Sequence, residues 1–323
     1  MKKWLFGISI VVVLMVVSGL SSLAFKPVNQ SPLKIIMIVK SKDLDFWNLV
    51  KSGTNMAAEE FHADTMFWAP SSEKNVDEQM ELMEKAIQKK PDAIVLAAAD
   101  FQRLAPLARK AKEKGILLLT LDSRLPEHLS EGHIATDNVR AAGKAADYLA
   151  HLIGEKGKLA IISTVAGTAT AMEREKGFME AIQKYPDIQL IDIKFSGSDV
   201  GEAYRLTKQN LKEHPDLKGI FGINEFTIIG IAQANKELGE TSAIKTVGFD
   251  SSPEILSFVE EGALSATVVQ KPFNMGYLAV KQAVSILEGK TKGKLLYTDS
   301  EIITKENMYS PENQKLLFPF EEQ

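Results

Sequence analysis

From Leu33 onward the chain alternates short apolar runs with amphipathic stretches. Runs at 33–39, 65–68, 93–97 and 116–121 read as buried strands. Between them, 45–61, 76–88 and 104–114 carry apolar residues at helical spacing, and Gly115 closes the last. The alternation resumes past Asn138. The pattern predicts helices over 139–153, 172–185, 201–211, 227–238, 253–260 and 275–287, and strands over 158–163, 188–195, 219–223, 244–249 and 265–269. A final strand or two falls within 294–304. This rhythm implies parallel sheets covered by helices on both faces. It holds too many strands for one ordinary sheet, so two similar lobes are expected. A (β/α)8 barrel is the rival, but it leaves a polar break unexplained: the runs at 116–121 and 133–135 follow one another without a helix between them.

The amino terminus changes where this fold must sit. Lys2 and Lys3 precede an uncharged apolar run, 4–25, with small residues around Ala24. That is the pattern of an export signal, and its length of about 22 residues also suffices for a membrane anchor. Residues 1–25 are read as one or the other, with 26–32 as an extended, proline-bearing linker. The positive-inside bias puts the remainder outside the cytoplasmic membrane. The 323 residues contain no cysteine, which removes disulfides, thiol nucleophiles and the usual lipid-attachment residue. With 38 basic against 42 acidic residues, no basic footprint for nucleic acid exists.

Catalytic signatures are lacking. There is no glycine-rich phosphate loop and no nucleophile elbow, and the five histidines have no metal-ligand spacing. Neither a catalytic residue, a metal nor a cofactor is therefore expected. Polar or aromatic groups do follow nearly every strand, where ligands bind in open α/β sheets. They include Lys40, Asp43, Phe46 and Trp47; Asp122, Ser123 and Arg124; Asp137 and Asn138; Thr164 and Thr168; Asn224 and Glu225; Asp250; and Gln270. Asp137 or Asn138 can also cap the next helix. Carboxylates, amides, a guanidinium and flat rings suit a neutral polyhydroxylated ligand. From this set Lys40, Phe46, Trp47, Asp122, Arg124, Asp137, Asn224, Asp250 and Gln270 are taken as ligand-binding candidates.

Several stretches carry a resemblance to the ribose-binding-protein group of type I periplasmic binding proteins. They are 120–124 (Thr-Leu-Asp-Ser-Arg), 133–138 (His-Ile-Ala-Thr-Asp-Asn), 173–178 (Glu-Arg-Glu-Lys-Gly-Phe), 185–188, 223–225, 247–250 and 266–272. The resemblance runs from about Leu33 to Glu288. It implies two Rossmann-like lobes, 33–136 with 270–298 and 137–269 with 299–310, joined by a three-crossing hinge and followed by a tail, 311–323. It casts Phe46 and Trp47 as stacking faces, Asp122 as the first-lobe carboxylate, Asn224 and Asp250 as second-lobe hydrogen-bonders, and Gln270 as the hinge amide. Lys40, Leu44 and Ser123 depart from the family pattern. Met172 stands where a sugar-binding arginine is usual, with Arg174 in the helix beyond. Lys40 raises the prospect of an acidic sugar. The implied role is solute binding read by an ABC-type permease or by a membrane histidine kinase or chemoreceptor. A sugar-processing enzyme using Asp122 and Asp250, and a sugar-responsive regulator of the lactose-repressor type, are the alternatives.

Overall fold

A computed structural model describes residues 31–42, 44–239 and 244–318. The apolar amino-terminal run and Asp43 lie outside the described residues. Among the described residues no helix is long and apolar enough to cross a membrane.

Two six-stranded sheets form the body. The first contains β1 (Lys34–Ile38), β2 (Asp64–Trp68), β3 (Ala93–Leu96), β4 (Leu117–Leu121), β5 (Gly132–Thr136) and β11 (Leu295–Thr298). The second contains β6 (Gly157–Ser163), β7 (Ile188–Phe195), β8 (Leu217–Gly222), β9 (Lys245–Phe249), β10 (Ala266–Val269) and β12 (Glu301–Ile303). Their orders are β11-β5-β4-β3-β1-β2 and β12-β10-β9-β8-β6-β7. The same arrangement is thus built twice. Every neighbouring pair is parallel except β10 with β12. The two orders rule out the barrel.

Strands such as β3, buried along their whole length, explain the unbroken apolar runs. Helices α1 (Asp45–Glu60), α2 (Val76–Lys89) and α3 (Ala105–Glu113) serve the first sheet. Helices α4 (Asn138–Leu152), α5 (Ala169–Ile182), α6 (Val200–Glu213), α7 (Glu225–Lys236) and α8 (Pro253–Glu261) serve the second. Helix α9 (Pro272–Leu287) follows a second-sheet strand but packs on α1. Each sheet carries two separate apolar clusters, the mark of a three-layer lobe. Where α1 meets α9, Gly53 faces the Phe273 carbonyl and Gly276 faces the Val50 carbonyl so closely that a Cβ on either would collide with backbone. Residues 311–317, expected within a tail, instead form α10 (Pro311–Leu317), and Leu317 is buried in a second-sheet core.

The chain passes between the sheets three times: from β5 into α4, from β10 into α9, and from β11 to β12. Two of these passages are clipped together, because Thr136 Oγ1 donates to Gln270 Oε1 at 2.8 Å.

Candidate functional site

The carboxyl ends of both sheets face one another across a small cavity of about 30 Å³. It is lined by Lys40, Leu44, Phe46 and Trp47 on the first side. On the second side stand Thr164, Thr170, Ala171, Arg174, Ile223, Asn224 and Asp250. Glu73, Asp122 and Gln270 complete it. In a sheet of order 2-1-3-4-5 this is where ligands are expected, beyond the strand ends at the switch point.

The two aspartates occupy equivalent places, each just past the fourth strand of its sheet. Both adopt positive φ, 56° at Asp122 and 81° at Asp250, a conformation that aspartate tolerates better than bulky residues and that often marks functional sites. Asp250 Oδ1 accepts from Gln270 Nε2 at 2.6 Å, and Oδ2 accepts from the Glu225 amide at 2.9 Å. Burial pushes the Asp250 carboxyl up, against the Arg174 charge and these hydrogen bonds. Asp122 pairs with Lys40, Oδ2 to Nζ at 2.8 Å, and both side chains are under a tenth exposed. Burial alone would lower the Lys40 ammonium. The Asp122 and Glu73 charges outweigh it and hold the group above its ordinary value. Lys40 Nζ also reaches Thr170 Oγ1 at 3.4 Å, across to the second side.

Phe46 and Trp47 begin α1 and meet edge to face at 4.8 Å. Trp47 Nε1 is buried and donates no hydrogen bond within the protein, whereas Asp122 Oδ2 is met by Lys40 alone. Since a buried polar group without a partner is costly, the Trp47 indole N–H is available to a partner from outside the chain. Asn224 caps α7 in a reciprocal box with Thr227, and its Nδ2 donates to Thr164 Oγ1 at 3.1 Å. The Thr164 and Ser198 hydroxyls are in contact, and Ser198 Oγ donates to Glu73 Oε2 at 2.6 Å, again joining the two sides.

Lys40, Phe46, Trp47, Asp122, Asn224, Asp250 and Gln270 are thus brought together around one cavity. Two candidates are not. Arg124 projects beside the cavity, where it pairs with Glu173 and stands 5.5 Å from the Phe101 ring. Asp137 caps α4 by accepting from the Arg140 amide at 3.1 Å. Both instead border a neighbouring groove. The cavity's guanidinium belongs to Arg174, which the sequence reading set aside. Helix α5 begins at Ala169, capped by Thr168, three residues before the expected start. Arg174 therefore lies in the second helical turn rather than the first and reaches the cavity, while Met172 is 42% exposed. The Thr168 cap was the available signal. Glu73, on the polar loop after β2, was not singled out in sequence.

Lys40 is not a spare cation for an acidic sugar. Asp122 neutralises it, and the cavity holds two cations against three carboxylates. A second carboxyl lies behind Asp250: Glu225 is raised from 4.5 to about 8, by burial first and then by the Asp250 and Asp45 charges. Among the described residues no group of side chains could hold a metal ion.

Two facing α/β lobes with a polar, partly unsatisfied cavity at their joint define a binding protein of the two-lobed, hinged class. Residues 35–291 match the periplasmic binding protein domain, and the chain belongs to that family. Its relatives include the D-allose-binding periplasmic protein of Escherichia coli, 29% identical over 81% of this chain and 86% of that protein. A carbohydrate transporter solute binding protein from Agrobacterium radiobacter, solved with D-arabinose, superposes with a TM-score of 0.86 at 26% identity, covering 90% of this chain and all of the other. An ABC transporter solute binding protein from Agrobacterium vitis, with D-fucose bound, gives 0.84 at 33% identity over 88% and 99% of the two chains.

Proposed function

We propose that this is an extracytoplasmic solute-binding protein that encloses a neutral monosaccharide between its lobes and presents the closed form to an ABC-type permease. The lobes are 33–136 with 270–298 and 137–269 with 299–310. Residues 1–25 direct or anchor the chain outside the cytoplasmic membrane. One observation carries the reading: Trp47 Nε1, buried without a partner, belongs to a cavity whose other polar groups are fixed donors and acceptors. Vicinal hydroxyls match such a set, and Phe46 and Trp47 offer flat apolar faces to a sugar ring. The sugars bound by the relatives support the same class. Asp122 and Asp250 are both engaged as acceptors, by Lys40 and by Gln270 with the Glu225 amide, which favours holding a ligand over protonating one.

The test is thermal unfolding of the folded body, from Leu33 onward, against D-allose, D-arabinose, D-fucose, D-ribose and D-galacturonate. A true ligand at a hundred times its Kd stabilises by about 2.7 kcal/mol. At least one neutral sugar should raise Tm, and Asp122→Ala or Asp250→Ala should remove the shift. Equal shifts in the alanine variants, or a preference for D-galacturonate, would defeat the proposal.

A further inference from the structure

Arg174 and Glu173 are consecutive on α5 but point to different places. Arg174 lines the cavity. Its Nη1 donates to the Ile223 carbonyl at 2.6 Å, its Nε donates to Asn138 Oδ1 at 2.8 Å, and its guanidinium lies 3.9 Å over the Phe249 ring. Glu173 leaves the cavity and meets Arg124, which follows β4 on the opposite lobe. Asn138 joins the two. It is the first residue of α4, two positions past the hinge strand β5, and is almost fully buried. Its Oδ1 accepts from Arg174 Nε while its Nδ2 donates to Glu173 Oε2 at 3.2 Å. One amide therefore touches both the guanidinium in the cavity and the carboxylate of the cross-lobe ion pair. The seam beside it is tight: the Phe101 amide donates to the Gly167 carbonyl at 2.8 Å, also from one lobe to the other.

We propose that Asn138 and Glu173 are positioning residues which lock the cavity arginine to the Arg124–Glu173 ion pair, so that closing the lobes and orienting Arg174 are one event. When the lobes part, Arg124 leaves Glu173, and the carboxylate is then free to turn toward water and release the Asn138 amide. When they meet, Glu173 is held, Asn138 is held by it, and Arg174 is aimed at the ligand. In the pair Glu173 is 17% exposed and Arg124 42%, so the carboxylate is shielded while the guanidinium meets solvent. A pair so placed acts on dissociation rather than on encounter. This inference rests on the binding reading above, but its first test does not need the ligand.

That test uses the absence of native cysteine. Cysteines introduced in the full chain at the exposed positions Gln88 on α2 and Lys212 on α6 carry spin labels, one on each lobe. Without ligand, Arg124→Gln and Glu173→Gln should move weight from the short to the long inter-label distance, and the charge-swapped double variant R124E/E173R should move it back. Unchanged distances in both single variants, or no recovery in the swap, overturn the proposal. The second test uses D-allose in stopped-flow fluorescence. Glu173→Gln and Asn138→Ala should raise koff by about tenfold with kon unaltered, as for contacts made only once the lobes have met. Equal changes in kon and koff, or additive effects of Arg124→Gln and Glu173→Gln, would speak for mere destabilisation and against the lock. If the wild-type protein binds no D-allose, the choice of sugar fails while the distance measurement still decides the lock.

Discussion

Replacing Lys40 by methionine tests the electrostatics of the cavity most directly. Lys40 and Asp122 lie on one lobe, 2.8 Å apart, with side chains 7% and 5% exposed. Methionine keeps most of the volume and removes the charge, leaving the Asp122 carboxylate buried in the cavity with Glu73 and without its ion-pair partner. Removing one partner of a buried pair costs about 3 to 5 kcal/mol, because the remaining charge stays desolvated. A domain of ordinary stability holds only about 5 to 15 kcal/mol in all. At roughly 2 to 4 °C per kcal/mol, Tm should fall by on the order of 10 °C. The double variant Lys40→Met/Asp122→Asn removes both charges and should regain more than half of that loss, since an amide is far cheaper to bury than an unpaired carboxylate. The pair's contribution has a defined pH window. The folded ammonium titrates above its ordinary value of 10.5, so the stabilisation is complete below that pH and is lost as pH rises through the folded value. Ligand-free urea titrations of the wild type and both variants at pH 7 measure the three stabilities. A single variant within about 1 kcal/mol of wild type would mean that water reaches the pair, which then behaves as an exposed one. A double variant no better than the single would refute the reasoning outright.

Two further outcomes follow from the same cavity. Arg174→Met should abolish the sugar-induced thermal shift while Met172→Ala leaves it unchanged, because only the arginine lines the cavity; calorimetric titration of both variants reads this directly. Glu225 keeps its proton to about 8 in the folded protein but loses it near 4.5 when unfolded, so stability falls as pH rises between those values. The Tm advantage of Glu225→Gln over wild type should therefore grow from pH 5 to pH 8 and level off above; an advantage independent of pH would show that Glu225 is solvated.

Much of the fold was legible because both kinds of element carry strong local patterns. Buried parallel strands are unbroken apolar runs, and β7 spans the residues the pattern predicts, 188–195. The polar break between β4 and β5 marked the end of the first lobe because neither a helix nor a barrel can bridge two adjacent strands there. Helix starts were harder. Residues 169–171, Ala-Thr-Ala, have no large apolar side chain to reveal a helical face, so the pattern starts α5 late and does not show that Arg174, one turn further in, lines the cavity. Residues 311–317 read as tail for a related reason, since a two-turn helix offers too little periodicity to recognise.

The site was legible to the extent that strand ends are. A run of buried apolar residues ending in aspartate locates Asp122 and Asp250 at the cleft, and the repeated strand order makes the two equivalent. What the pattern does not carry is direction. The chain leaves the extended path at Asp122, whose φ is 56°, so Asp122 enters the cavity and Arg124, two positions on, crosses to Glu173 instead. Likewise Asp137 turns out to cap α4 while its neighbour Asn138 turns inward to Arg174. The positive φ of Asp122 and Asp250 has the same origin: it re-aims one side chain per strand at the price of some backbone strain, and only the folded chain shows where. Each lobe thus supplies one carboxylate held by a partner, Lys40 in the first and Gln270 in the second. The hinge amide of Gln270 contacts the second carboxylate and, through Thr136, the first lobe's last step before the crossing. A ligand that draws on either aspartate must therefore act on the joint as well as on the cavity, which is the physical requirement for a bound solute to set the angle between the lobes.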